Sequence, residues 1–323
     1  FSKDIKANGA MAALLKDAVM PNLVQTAEGT PAIIHGGPFA NIAHGCNSII
    51  ATKMAMSFSD YVVTEAGFAF ELGAEKFIDI KSRYAGIFPD AAVLVATVRA
   101  LKYHGGMNIK EITKPSVESV IKGLENLEKH IENIRQFGIT PVVAINKFIS
   151  DTEEEINAIK DKCRELKVDA VVSDVWGKGG EEALELAEKV SAVAENKEKK
   201  PRFLYELDWS VEKKIETIAK KMYGAQYIDY TARAKKDLEK IYKLGFDKLA
   251  VCIAKTQKSL SDNPDLIGRP KDFVVTVRQI EIASGAGFII PITGEIMRMP
   301  GLPEIPAAEN IDIDEKGEIS GLF

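Results

Sequence analysis

The sequence predicts an α/β fold: a parallel sheet with flanking helices, a second α/β unit, and a mixed α+β tail. Three observations carry this reading. Short β-branched or apolar runs of buried-strand type recur, namely PAIIH (31–35), DYVVTEA (60–66), AAVLVATV (91–98), TPVVAINKF (140–148) and VDAVVSDVW (168–176). Segments of helical length and periodicity separate them. Beyond residue 202 the order changes, with two helix patterns ahead of three strand patterns. The units expected are 1–118, 119–225 and 226–323.

Taken in order, Ala10 to Val19 carries a helical pattern, and Asn47 is placed to cap NSIIATKMAMSFS, which links the first two strands. FELGAEKFIDIKSRY lies between the second strand and the third. A long charged helix is expected from Ser116 to Gln136, because Val120, Leu124, Leu127, Ile131 and Ile134 share one face and Gly138 then stops it. DTEEEINAIKDKCREL (151–166) reads as a capped helix inside a βαβ unit. AENKEKKPR (194–202), charged and ending near Pro, is either an exposed connector or a solvated helix end. In the tail, helices are expected over 211–224 and 230–246, and strands over 248–256, 273–284 and 287–293, the last broken by Pro291. Met297 and Met299, beside the MPGLP corner, read as packing between domains.

Composition narrows the function classes. With 323 residues, 46% hydrophobic and 28% charged, the chain can bury large cores, and a net charge of −5 argues against a dominant nucleic-acid or anionic-membrane surface. Small-molecule chemistry is the better expectation. Cys46, Cys163 and Cys252 are far apart and lack CxxC spacing, which points to reduced thiols, a cytoplasmic location and no structural metal. No apolar run reaches the ~18–20 residues that cross a bilayer. The first residue is Phe rather than Met, and a helical approach begins at once, so an N-terminal part of the same protein is expected upstream.

Several residues could carry chemistry. In HGGPFANIAHG (35–45), Gly36 and Gly37 can turn backbone N–H groups toward an anion or a ring, although Gly-Gly-Pro is also ordinary turn punctuation. His35 is the candidate for proton transfer or charge stabilisation, whereas His44, His104 and His130 read as structural. Gly67 follows a strand pattern in TEAGF, where a backbone amide meets an anion, and Glu65 beside it suits a cation or a cap. Asn146 and Lys147 end the strand VAIN and precede DT at residues 151–152, resembling a base-reading loop. Phe148 and Trp176 stand at the ends of neighbouring strand patterns, the latter ahead of Gly177-Lys178-Gly179-Gly180. Two such rings either sandwich a flat heterocycle or cap a core. No GxxxxGK[ST] phosphate loop is present.

Six segments in order, KANGAMAALLKDA, EGTPAIIHGGPFANIAHGCNSIIATK, DYVVTEAGFAFELGAEKF, PVVAINKF with DT, VWGKGGEEA and GAGFIIPITGEIMRMPGLP, closely resemble the formate–tetrahydrofolate ligase family, also called formyltetrahydrofolate synthetase. The resemblance spans essentially the whole chain and corresponds to the C-terminal part of the family's chain. It implies that 1–118 is the remainder of a large nucleotide-binding-type domain handling formyl phosphate, that 119–225 carries the folate-stacking aromatics, and that the phosphate loop lies upstream. The implied reaction is ATP-dependent: formate is phosphorylated, and the N10 amine of tetrahydrofolate attacks formyl phosphate. Phe148 and Trp176 then match the rings that sandwich the pterin, and Val172 an apolar residue lining that pocket. Gly67 matches a glycine beside formyl phosphate, His35 a histidine associated with activity, and Ala40 a position near the adenine. Ile149 stands where the family often has proline, which leaves that wall of the pocket open. The family also uses Mg²⁺ with ATP, responds to monovalent cations and commonly forms tetramers. The segment alone is expected to be inactive.

Two other classes predict different behaviour. A non-catalytic folate- or nucleotide-binding module is the reading if the natural chain starts at Phe1. A regulatory nucleotide switch using NKF and DT predicts nucleotide binding without folate, and the Phe148/Trp176 pair argues against it.

Overall fold

The computed structural model describes residues 2–36, 46–196, 201–294, 296, 309–314, 316 and 318–321. From the N-terminus the chain forms α1 (Asn8–Leu14), β1 (Asn22–Gln25), β2 (Pro31–Ile34) and α2 (Ile49–Phe58). A helical stretch with π-type turns at Phe70–Ala74 and Phe77–Ser82 runs into α3 (Arg83–Ala85). Next come β3 (Ala92–Ala96), α4 (Val98–His104), α5 (Val117–Gln136), β4 (Pro141–Asn146), α6 (Glu153–Glu165), β5 (Asp169–Ser173), α7 (Val175–Lys178) and α8 (Leu184–Glu195). The last part holds α9 (Val211–Ile218), β6 (Tyr227–Tyr230), α10 (Ala232–Lys243), β7 (Ala250–Val251), β8 (Val274–Ala283), β9 (Phe288–Thr293), β10 (Asp312–Ile313) and β11 (Ile319–Ser320).

The architecture is mixed α/β, as the alternation predicts. β3, β4 and β5 form a parallel sheet in that order, while β6, β8, β9 and β7 form a mixed sheet in which β8 and β9 are antiparallel. Val142, Val143 and Ile145 of β4 are fully buried, which is why the central strand reads as an unbroken apolar run. Val120, Leu124, Leu127, Ile131 and Ile134 of α5 are buried as their spacing predicts, and the first four of these pack with Val143, Ile145, Ile156 and Ile159.

Four local expectations are corrected. PAIIH does not enter the parallel sheet: β2 pairs antiparallel with β1, because the short turn between them closes a hairpin and is too short for a crossover. DYVVTEA forms no strand. Its Val63 is 94% exposed, and an apolar run without a partner edge gains nothing from extension. Ser48, not Asn47, caps α2 by accepting the Ala51 N–H at 3.0 Å, while Asn47 donates to the Ile33 carbonyl at 3.0 Å and ties α2 to β2. Pro291 does not break β9, since its carbonyl accepts the Ala254 N–H at 2.9 Å and the strand continues through it.

One buried carboxylate pins the carboxyl edge of the parallel sheet. Thr152 and Glu155 form a reciprocal capping box at the start of α6, and Glu155 Oε1 also accepts the Ser116 N–H at 2.7 Å and meets Lys102 Nζ at 2.7 Å. Burial raises the Glu155 pKa, but Lys102 and the two backbone donors outweigh it and hold the carboxyl below its usual range. Glu155→Gln is therefore expected to cost about 3–5 kcal/mol, the penalty for leaving a buried cation unpaired. Denaturant unfolding reads this directly.

Candidate active site

The carboxyl ends of β4 and β5 lie side by side, with Asn146 opposite Ser173 and the Lys147 N–H bonded to the Ser173 carbonyl at 3.0 Å. Ligands bind at this edge of open α/β sheets, because loops there diverge from a rigid floor. Past β4 the chain turns tightly: the Phe148 N–H donates to Asp151 Oδ2 at 2.9 Å and the Asp151 N–H to the Phe148 carbonyl at 3.0 Å. The turn fixes the half-buried Phe148 ring. Arg99, on α4 after β3, places its guanidinium carbon 4.1 Å from the ring centroid and so covers one face. Lys147 reaches Glu153 at 3.2 Å.

Trp176, after β5, is 91% exposed and Ile149, next to Phe148 in the chain, is fully exposed, so two large apolar side chains face solvent. The ring of Trp176 sits on α7 rather than at the end of β5, which stops at Ser173. Burying such a side chain contributes about 1.5–3 kcal/mol, and here that energy is available to a ligand. Val172, by contrast, is half-buried and packs against the core beneath the sheet.

His35 follows β2 and is held at both nitrogens. Nε2 lies 2.8 Å from the Ala18 carbonyl, which only accepts, so Nε2 carries the proton. Nδ1, 2.7 Å from Ser48 Oγ, then accepts from the hydroxyl while that oxygen receives the Ala51 N–H. The imidazole is thereby fixed to the N-terminus of α2. Ala40 and His44 lie outside the described residues, as do Met297 and Met299.

Gly67 is half-buried ahead of Phe68, whose φ of +62° is a left-handed conformation that bulky residues rarely adopt. Its backbone is pressed against Gly73: a Cβ built on Gly73 would stand 1.8 Å from the Gly67 carbonyl oxygen. Behind this contact the chain buries charges that the sequence pattern did not reveal as a site. Glu71 pairs with Lys255 at 3.2 Å and approaches His130 Nδ1 at 3.6 Å. His104 is structural, accepting the Gly268 N–H at 3.1 Å, and burial pushes its pKa down to about 4. Glu75 and Asp79 are buried one helical turn apart, and both Glu75 oxygens and Asp79 Oδ2 have no other donor among the described residues.

Burial favours the protonated form of both the Glu75 and Asp79 carboxyls, so the pair does not place two negative charges in the core. Burial drives the Glu75 pKa well up, with Asp79 adding to it, and burial lifts Asp79 from 3.8 to about 7 against the pull of the Leu204 N–H and Arg83. A carboxyl that keeps its proton in the fold but loses it on unfolding stabilises at low pH, and that contribution disappears as pH rises from 3.8 to about 7. His104 acts oppositely, so the wild-type profile mixes both. Glu75→Gln isolates the pair: relative to wild type, its Tm at pH 8 should rise by about 2–4 °C, the shift that ~1 kcal/mol produces. The gap should close at pH 4 in calorimetric scans.

Asn146, Lys147 and Phe148 at the carboxyl end of β4, with Trp176 exposed on α7 after β5, lie at the edge of a parallel sheet where α/β proteins take small molecules. A family model described as formate–tetrahydrofolate ligase matches residues 1–323, and the chain belongs to that family. The family's reaction joins formate to tetrahydrofolate at the expense of ATP. Among the described residues no group of three or more His, Cys, Asp or Glu side chains is placed to hold a metal ion, and no helix is long and apolar enough to cross a membrane.

Proposed function

We propose that this chain supplies the folate wall and the formyl-transfer loop of an ATP-dependent formate–tetrahydrofolate ligase working through formyl phosphate. The observation that carries the reading is an exposed Trp176 on the helix after β5 and a Phe148 ring, with Arg99 over it, after the neighbouring β4. A pterin slides between the two rings, and Ile149 extends the apolar wall where the family often has proline. Val172 supports the pocket from below.

Formate oxygen attacks the terminal phosphorus of ATP and releases ADP. N10 of tetrahydrofolate then attacks the formyl carbon, the bond from carbon to the phosphate oxygen breaks, phosphate leaves, and N10 loses its proton. The Gly67 N–H meets the oxygen that becomes negative at that carbon. His35 is the histidine associated with activity, held between the Ala18 carbonyl and Ser48 Oγ. Asn146 and Lys147 serve the nucleotide, and Ala40 lies near the adenine. Mg²⁺ enters with the ATP phosphates, and the phosphate-binding loop, absent from these 323 residues, belongs to an N-terminal part of the same protein. A monovalent cation, a homotetramer and a cytoplasmic setting complete the reading.

The test is formation of 10-formyltetrahydrofolate by the intact ligase from formate, ATP, Mg²⁺ and tetrahydrofolate. Product that requires all the substrates supports the reading; tetrahydrofolate binding without turnover contradicts it.

A further inference from the structure

The loop that carries Trp176 is held from outside the parallel sheet. Glu28, in the turn between β1 and β2, reaches across so that its Oε1 accepts the Gly180 N–H at 2.7 Å. The turn is itself locked. The Gly29 N–H donates to the Thr26 carbonyl at 2.9 Å, the Thr26 N–H to the Thr30 carbonyl at 2.9 Å, and the Thr30 N–H to Thr26 Oγ1 at 3.0 Å. These bonds fix the turn from which the exposed Glu28 side chain reaches out. On the receiving side the glycines leave it room. A Cβ on Gly180 would have the Glu28 carboxyl as its three nearest neighbours, Oε2 at 2.2 Å, and one on Gly179 would lie 3.2 Å from Oε1. Gly179, at φ +79° and ψ −168°, holds a conformation open essentially to glycine alone, and its N–H closes α7 by donating to the Val175 carbonyl at 3.0 Å. The Trp176 helix is therefore bounded on its C-terminal side by a loop that Glu28 clamps. The same hairpin ends at His35, so one rigid element touches both candidate regions.

We infer that Glu28 is a positioning residue for tetrahydrofolate: its carboxylate fixes the Trp176 loop in the orientation that stacks the pterin. This rests on Trp176 being the pterin wall. Trp176 is almost wholly exposed, so nothing beneath it sets its direction, and the clamp limits what a mobile loop would lose on ordering around substrate.

The test compares Glu28→Ala, Glu28→Gln, Gly180→Ala and the double Glu28→Ala/Gly180→Ala with Trp176→Ala in the intact ligase, by steady-state kinetics and thermal unfolding. Glu28→Ala should raise the tetrahydrofolate KM about 5- to 10-fold, the loss of one charge-assisted hydrogen bond at a partly solvated site. Its kcat, ATP KM and Tm should stay near wild type. Glu28→Gln keeps an acceptor and should restore most of the affinity. Gly180→Ala should expel the carboxylate and mimic Glu28→Ala, and the double variant should be no worse than either single one. If Trp176→Ala raises the folate KM but neither Glu28→Ala nor Gly180→Ala does, the clamp is wrong and the pterin wall stands. If Trp176→Ala has no effect, the wall itself is wrong. A lower folate KM in Glu28→Ala would mean that the carboxylate competes with substrate, which also overturns the inference.

Discussion

Trp176→Ala in the intact ligase is expected to raise the KM for tetrahydrofolate by about 5- to 150-fold, the factor produced by losing ~1–3 kcal/mol of stacking. The side chain is 91% exposed, so its removal opens no cavity and takes no core contact with it. Tm should therefore stay within about a degree of wild type. ATP KM should also hold, because Asn146 and Lys147 leave β4 on the other side of Phe148 from the Trp176 loop in sequence and keep their own backbone anchors. A conservative Trp176→Phe should recover most of the affinity, since a ring face survives. Equal losses for Phe and Ala would assign Trp176 a role other than stacking.

Gly73→Ala should act through the backbone. The added methyl carbon would stand 1.8 Å from the Gly67 oxygen and 2.6 Å from its nitrogen, both main-chain atoms that cannot swing aside. Either the helix over Phe70–Ala74 shifts, at an overpacking cost of about 1–3 kcal/mol, or Gly67 does. Because the Gly67 N–H is proposed to meet the developing oxyanion, a displacement near 1 Å should lower kcat about 100-fold. Tetrahydrofolate affinity, set by rings elsewhere, should be kept. Single-turnover product formation together with equilibrium folate binding separates the two. A wild-type kcat in a folded Gly73→Ala would remove Gly67 from the reaction.

The sequence made the parallel unit legible, and for physical reasons. β4 is buried on both faces, so its apolar run has one structural solution, and the apolar stripe of α5 marks the side that meets the parallel sheet, while its other buried side packs through Asn126, Lys129 and Asn133. Phe148 does follow the end of β4, whereas the run VDAVVSDVW hid the stop of β5 at Ser173 and the helix that carries Trp176. The buried charges were not legible. Glu71, Glu75 and Asp79 recur at four-residue intervals, yet residues 70–73 and 75–82 are buried, and tertiary partners such as Lys255 and Leu204 come from 120 or more positions away. DYVVTEA misled because β-propensity describes a residue's fit to a neighbouring strand, and Val63 has none. The Glu28 contact lay beyond sequence reading for the same reason, since it spans 152 positions.

The most direct test of the pterin wall is a fluorescence titration of the intact ligase carrying Trp209→Phe, which leaves Trp176 as the reporter from these residues. Stacking against a pterin should quench that emission with saturation on adding tetrahydrofolate, and ATP alone should leave it unchanged. Quenching by ATP without any response to tetrahydrofolate would contradict the account and make the strand-end rings a nucleotide wall.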